Sequence, residues 1–306
     1  MTRAVVFAYH NVGVRCLRVL LAHGVDVPLV LTHEDNPRET IWFDSVERVA
    51  RDCDIAVIAP VDPNMPEVVE RVASCKPEFI FSFYYRQMLK APLLALAPRG
   101  ALNMHGSLLP KYRGRVPVNW VVIHGEKETG ATLHYMLEKP DSGDIVSQTA
   151  VPILPDDTAR EVFDKVTVAA ELTLDRVLPA LLAGNAPRTP QDAARASYFG
   201  VRKPEDGAID WSQSASAIHN LVRALAPPYP GARTRLAGTP ARLLRTRVLD
   251  ASRSKAPGLT AEGNRIVAYC GGGGKLGVLA LEIDGALVDP AGFERRFGSQ
   301  RIIPGT

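Results

Sequence analysis

Short apolar runs alternate with amphipathic segments along the first hundred residues. In "RAVVFAYHNVGVRCLRVLLAHGVDVPLVLTH" (3–33) an apolar run gives way to Leu17, Leu20 and Leu21 at helical spacing, then to a glycine stop and a second apolar run. That pattern predicts a β-α-β unit. It repeats through "DIAVIAP" (54–60), the helical "MPEVVERVASC" (65–75), "EFIFSFYY" (78–85) and "ALNMH" (101–105). Alternating strands and helices imply an α/β fold with a Rossmann-like, doubly wound and mostly parallel sheet, whose ligand site lies at the carboxyl ends of the strands. Asn103 and His105 are expected at such an end.

Further on, "ATLHYMLEKPDSGDIVSQTAVPI" (131–153) reads as two strands joined by a polar loop. The segment "DDTAREVFDKVTVAAELTLDRVLPALLAG" (156–184) has an acidic start, helical apolar spacing and a glycine stop, so a long helix is expected. The polar stretch 185–211 reads as a linker. Beyond it, strand-like runs at 232–250, 264–270 and 276–285 separated by turn residues predict a small OB-like β-barrel. The expected organisation is a catalytic domain over 1–189, a linker over 190–210 and a barrel domain over 211–306.

Two glycine-containing stretches mimic nucleotide loops. "AYHNVGVRC" (8–16) carries one glycine where a dinucleotide fingerprint needs three for backbone approach to a pyrophosphate, so no NAD site is expected. "CGGGGK" (270–275) is followed by Leu276, with no hydroxyl for magnesium, and reads as a hairpin turn.

At 306 residues and 46% hydrophobic content the chain can bury one large core or two unequal ones. No apolar run approaches the roughly 20 residues that span a bilayer, which leaves a protein without membrane insertion and the cytoplasm as the expected compartment. Cys16, Cys53, Cys75 and Cys270 share no CxxC spacing and sit in apolar-looking segments, so buried free thiols are expected rather than a disulfide or a metal site. The net charge of +3 is uneven, since residues 201–306 hold 15 Lys and Arg against 9 Asp and Glu. Such a basic part suits a polyanionic partner such as tRNA or a nucleotide diphosphate, or a plain solvated surface.

Acyl transfer to an amine needs a donor for the oxyanion, a group to manage the amine proton and a charge to tune that group. Asn103, His105 and Asp141 supply the three, provided that the fold gathers them. There is no GxSxG elbow and no cysteine beside the histidine, so direct attack by the amine is more natural than a covalent acyl-enzyme.

The run "NMHGSLLPKYRGRVPVNW" (103–120) followed by "DSGDIV" (141–146) resembles the signature of the formyltransferases that use 10-formyltetrahydrofolate. "SFYYRQML", "TGATLHYM", "YFGVRKPEDGAIDW" and "PPYPGA" extend the likeness over essentially the whole chain. The resemblance implies a Rossmann-like domain before an OB-like one, with catalysis by Asn103, His105 and Asp141. It implies a folate pocket along Gln87, Met88 and Leu89, completed by Arg115 and the loop Leu137, Glu138, Lys139, Pro140 and Asp141. Within the family, "VVFAYH" and the loop residues Tyr112, Arg115 and Asn119 are similar to the branch that formylates UDP-4-amino-4-deoxy-L-arabinose in polymyxin resistance and lipid A modification, rather than to the initiator methionyl-tRNA branch. Tyr9, His10, Tyr112, Asn119 and Arg202 are the expected substrate contacts, Tyr9 and His10 being equally compatible with first-strand packing. The partner so implied is a UDP- or dTDP-linked amino sugar, with tRNA the alternative and a homo-oligomer compatible with either. A folate- or nucleotide-binding module without catalysis is a third reading, against which the intact Asn103, His105 and Asp141 argue.

Overall fold

The computed structural model describes residues 1–37, 39–250 and 256–305, and the chain divides into two compact units. The first comprises Met1–Pro117, Glu128–Pro152 and Asp164–Gly200; the second comprises Val118–Lys127, Ile153–Phe163 and Val201–Thr306.

Along the chain run strand β1 (Arg3–Ala8), helix α1 (His10–Ala22), β2 (Asp26–Leu31), α2 (Val46–Asp52), β3 (Ala56–Ile58), α3 (Pro66–Ser74), β4 (Phe79–Phe83), α4 (Ala91–Leu94) and β5 (Gly100–His105). There follow β6 (Arg113–Gly114), α5 (Pro117–Ile123), β7 (Glu128–Tyr135), β8 (Ile145–Pro152), α6 (Ala159–Ala183) and β9 (Tyr198–Phe199). The main sheet has the order β3-β2-β1-β4-β5-β7-β8. Its first five strands are parallel, and β7 and β8 are added antiparallel. The expected doubly wound sheet is therefore present, with the strand order reversing between β1 and β4.

Strand β4 is buried along its whole length, as a parallel strand covered on both faces must be. Helix α1 packs closely enough that a Cβ at Gly13 would lie 2.9 Å from Val46 Cγ2 and 3.1 Å from Ala8 Cβ. At the start of α6 Thr158 and Glu161 form a reciprocal capping box, the Thr158 N–H donating to Glu161 Oε2 at 2.7 Å and the Glu161 N–H to Thr158 Oγ1 at 3.3 Å.

The second unit adds α7 (Ala215–Leu225), β10 (Ala232–Leu236), β11 (Thr239–Asp250), β12 (Gly258–Glu262), β13 (Arg265–Tyr269), β14 (Lys275–Ile283), β15 (Ala286–Leu287), α8 (Pro290–Phe297) and β16 (Pro304–Gly305). Its antiparallel sheet runs β12-β13-β14-β11-β10-β16. Ile302, two residues before β16, also exchanges both backbone hydrogen bonds with Leu259 of β12, so the sheet curls round towards itself. Phe293, Leu243, Leu276 and Trp211 fill its interior. The glycines at 271–274 form the β13–β14 turn.

One expectation is corrected. Cys16 and Cys270 are buried, but Cys53 is exposed and Cys75 partly so, because both lie at the carboxyl ends of amphipathic surface helices. Among the described residues no helix is long and apolar enough to cross a membrane.

Candidate active site

Asn103 and His105 are two apart on β5, so their side chains leave the same face at its carboxyl end. The antiparallel register of β5 with β7 sets His134 directly opposite Asn103. Asp141 comes from the β7–β8 connection. These four residues converge.

Asp141 Oδ1 lies 3.6 Å from His105 Nδ1, 3.4 Å from His134 Nε2 and 3.5 Å from Asn103 Nδ2. Its other oxygen, Oδ2, accepts the Gly114 N–H at 2.8 Å. Burial alone would raise the Asp141 carboxyl, but the facing His105 and His134 together with the Gly114 N–H outweigh it and hold the group well below the usual carboxylate range. Asp141 is thus a fixed negative charge.

The hydrogen bonds also assign the ring nitrogens. His105 Nε2 is 2.8 Å from the Tyr112 carbonyl oxygen, which can only accept, so the proton sits on Nε2 and Nδ1 is left facing Asp141. His134 Nδ1 donates in the same way to the Tyr135 carbonyl at 2.8 Å, and its Nε2 lies 3.2 Å from the Asn103 amide. Both rings are almost fully enclosed, at 5% and 1% exposure.

The loop carrying the Tyr112 carbonyl is held from several sides. Thr132 Oγ1 donates to Ser107 O at 2.6 Å, Gln148 Nε2 donates to Leu109 O at 2.9 Å, and β6 pairs in parallel with β9. Arg113, buried at 4% exposure and without a carboxylate partner among the described residues, donates through Nε and a terminal nitrogen to Gln191 Oε1 at 3.1 and 2.7 Å and to the Tyr198 hydroxyl at 2.6 Å. Gln191 in turn donates to the Asp141 and Gly143 carbonyls at 2.9 and 2.7 Å. Gly114, at φ +98°, approaches Phe199 so closely that a Cβ would lie 2.2 Å from its carbonyl oxygen. Tyr112, Val116 and Asp141 hold positive φ values of 59°, 47° and 51°, and a β-branched valine there is strained. Backbone strain of this kind costs about 1–3 kcal/mol per residue and persists only where the surroundings over-determine it.

The expected folate residues fall on three loops of the same unit, 87–89, the one carrying Arg115, and 137–141. Gln87 donates to Val61 O at 2.6 Å while its Oε1 is buried with no partner among the described residues. Met88 and Leu137 expose apolar side chains, at 48% and 54%, whereas Leu89 belongs to the hydrophobic core. Arg115 is exposed and donates to the Arg86 carbonyl at 2.5 Å. Glu138, Lys139 and Pro140 are exposed.

Of the expected substrate contacts, Tyr9 is buried, its hydroxyl donating to Asp35 Oδ1 at 2.6 Å, and burial first, then that bond, push the phenol well above its usual range. His10, at φ +67°, stacks on Phe43 with ring centroids 3.9 Å apart. Tyr112 is buried and stacks on Phe199 at 5.0 Å, so it serves the site through its carbonyl. Asn119 and Arg202 belong to the second unit, where Asn119 donates to Ala224 O at 2.9 Å and Arg202 donates to Asp206 O at 2.9 Å.

His134, Arg113, Gly114 and Gln191 escaped the sequence reading. The place of each depends on long-range contact, His134 through the register of β5 with β7.

The family profile described as formyl transferase matches residues 16–178, and the one described as formyl transferase, C-terminal domain, matches 202–295. Among solved structures, an N-formyltransferase from Helicobacter canadensis, in complex with folinic acid and dTDP-3-aminofucose, is similar over 91% of this chain and 99% of its own at 19% identity and a TM-score of 0.70. A 4-N formyltransferase from Francisella tularensis is similar over 76% of this chain and 91% of its own at 20% identity and 0.63. HypX from Aquifex aeolicus matches 98% of this chain with 48% of its own length at 17% identity and 0.65. Identities this low carry the fold alone. The two profiles, the first spanning more than half the chain, carry more: the chain belongs to the formyl transferase family.

Proposed function

We propose that this enzyme transfers the formyl group of 10-formyltetrahydrofolate to the 4-amino group of a nucleotide-linked amino sugar, UDP-4-amino-4-deoxy-L-arabinose, with Asn103, His105 and Asp141 as catalytic residues. The observation that carries the reading is the convergence of an amide, two imidazoles and a fixed carboxylate at the carboxyl end of β5. The Helicobacter and Francisella neighbours, an N-formyltransferase bound to an amino-sugar nucleotide and a 4-N formyltransferase, support the substrate class.

The residues fit the folate in two respects. The orphaned Gln87 Oε1 is a buried acceptor awaiting a donor, and Met88 and Leu137 offer apolar surface for a ring system. When bound, the folate supplies the formyl group. The reaction joins the amine nitrogen to the formyl carbon, breaks the bond from that carbon to the folate nitrogen, and moves one proton from the first nitrogen to the second. Asn103 Nδ2–H is the donor for the oxygen on which charge develops; one such donor can be worth about 3–4 kcal/mol in a water-poor site. His105 Nδ1 is the ring atom free to take and return the proton, since Nε2–H is committed to Tyr112 O. Asp141 stabilises the imidazolium so formed through Oδ1, while the Gly114 N–H holds the other oxygen, Oδ2.

The test compares UDP-4-amino-4-deoxy-L-arabinose, a dTDP-4-amino-hexose and charged initiator tRNA as acceptors of the formyl group. Turnover of the arabinose nucleotide supports the reading. Turnover of tRNA alone would refute it and make the basic 201–306 region the better guide.

A further inference from the structure

A row of polar side chains runs across the sheet beside His105. Thr132 stands directly opposite His105 in the β5–β7 register, and Gln148 stands directly opposite Thr132 in the β7–β8 register. Residues paired in this way share a face of the sheet. The row His105, Thr132, Gln148 therefore crosses β5, β7 and β8 within the first unit.

Every hydrogen-bonding position of its middle member is filled. The Thr132 hydroxyl, fully buried, donates to Ser107 O at 2.6 Å and accepts from the Leu109 N–H at 3.2 Å and from Gln148 Nε2 at 2.8 Å. One proton and two lone pairs are all that a hydroxyl has. Gln148 Nε2 gives its second hydrogen to Leu109 O at 2.9 Å. Ser107, also fully buried, closes the loop by donating through Oγ to Lys111 O at 2.8 Å. Strand β8 is anchored in turn, since Arg176 on α6 donates to Gln148 O at 2.9 Å and to the Thr149 hydroxyl at 3.1 Å. The bonds from Thr132, Gln148 and Ser107 fix residues 107–111, directly before the Tyr112 carbonyl that takes the His105 Nε2 proton at 2.8 Å.

That proton has a rival acceptor. A hydrogen bond to a charged group is roughly twice as strong as one between neutral groups, so an imidazole beside a carboxylate favours the proton on the nitrogen that faces it. Here Asp141 Oδ1 faces Nδ1, yet at 3.6 Å it is beyond hydrogen-bond length, whereas Tyr112 O at 2.8 Å is within it. The Nε2–H form therefore holds only while the loop keeps Tyr112 O in place. We propose that Thr132 and Gln148 are positioning residues that select the His105 tautomer: through residues 107–111 they fix Tyr112 O, keep the proton on Nε2 and leave Nδ1 as the base. When the loop relaxes, the proton passes to Nδ1 against Asp141, and the nitrogen that should take the amine proton is already occupied. Only the catalytic consequence rests on the formyl-transfer reading above; the tautomer does not.

Nitrogen-15 NMR of the ring nitrogens, on the full chain labelled in its histidines, tests this at about pH 9, where ordinary imidazoles are neutral. His105→Asn identifies the His105 signals by their loss. In wild type His105 is expected as the Nε2–H form, and His134, whose Nδ1 donates to the Tyr135 carbonyl, as the Nδ1–H form, which serves as an internal control. Thr132→Val keeps the shape but removes the hydroxyl, and Gln148→Met removes both donated hydrogens. Each should shift the ratio of His105 forms towards Nδ1–H by about ten-fold or more, the worth of one well-placed hydrogen bond, and leave His134 unchanged. In each, kcat should fall by about ten-fold or more while KM for the nucleotide sugar stays nearly constant. Thr132→Ser keeps the hydroxyl and loses a buried methyl, so it should melt lower than wild type yet retain the Nε2–H form and most of kcat. Activity that simply follows Tm across the three variants, or an unchanged His105 tautomer in whichever of Thr132→Val and Gln148→Met folds, would overturn the proposal. A tautomer that follows the variants in a chain that formylates no nucleotide sugar would spare the proposal and sink the function.

Discussion

Replacing Gln191 with Leu removes the bracket that fixes the active carboxylate without touching any group that meets substrate. The side-chain amide spans four hydrogen bonds, two given to the Asp141 and Gly143 carbonyls and two accepted from Arg113. The neutral pair is worth about 1 kcal/mol each, and the loss leaves a buried guanidinium with, among the described residues, only the Tyr198 hydroxyl as acceptor, a penalty of about 1–3 kcal/mol. Shared partners make these terms less than additive, so about 3 kcal/mol of stability should go, or about 6–12 °C in Tm for a unit of this size. Activity should suffer more. With the bracket gone, Asp141 at φ +51° is free to relax, and a displacement of about 1 Å at a reacting centre costs about 10²-fold. Thermal unfolding and steady-state formyl transfer measure the two effects. A positioning role requires kcat to fall with the KM for the nucleotide sugar nearly unchanged, and the acid limb of the pH–rate profile to move. Gln191→Glu should not rescue, because it restores an acceptor for Arg113 but sets a carboxylate against two carbonyl oxygens. A Leu variant with wild-type kcat at a temperature where it is folded would refute the reasoning.

Three further outcomes follow from the same geometry. His134→Phe removes one of the two imidazoles that depress the Asp141 carboxyl, so its pKa rises and activity should be lost at higher pH on the acid side; a pH–rate profile that coincides with wild type contradicts this. Because the folded pKa of Asp141 lies below the unfolded one, its contribution to stability is present above about pH 4 and is lost as pH falls through the folded value. Denaturant unfolding should therefore show Asp141→Asn less stable at pH 7, with the gap closing in acid. At Gly143 a Cβ would sit 2.0 Å from the Tyr135 carbonyl oxygen, so Gly143→Ala must shift the backbone beside Asp141, costing more than about 2 kcal/mol and most of the activity, as melting and turnover together would show.

What the sequence disclosed depends on how local each signal is. The apolar runs of β1, β2, β4 and β5, the amphipathic α3 and the long α6 are written in neighbouring residues, and with them the parallel sheet and its carboxyl edge. Asn103 and His105 were legible as a strand-end pair because a period of two fixes their common face. His134 was not, since its place depends on the β5–β7 register, which pairs residues 31 positions apart. Arg113 and Gln191 lie 78 positions apart, and a lone glutamine in a polar stretch leaves no trace of a buried clamp. Cys53 misled for the converse reason: apolar neighbours in a short amphipathic helix do not say which face meets solvent.

The central claim is that His105, tuned by Asp141, manages the proton of an amine that attacks the formyl carbon. Its most direct test is single-turnover transfer of a ¹³C-labelled formyl group from 10-formyltetrahydrofolate to UDP-4-amino-4-deoxy-L-arabinose, run in parallel with wild type and His105→Ala. The account expects the label in a 4-formamido sugar with wild type and a rate lower by about 10²–10⁴-fold in the variant, with folinic acid affinity retained. Equal rates in the two proteins, or label that never reaches the sugar nitrogen, would contradict it.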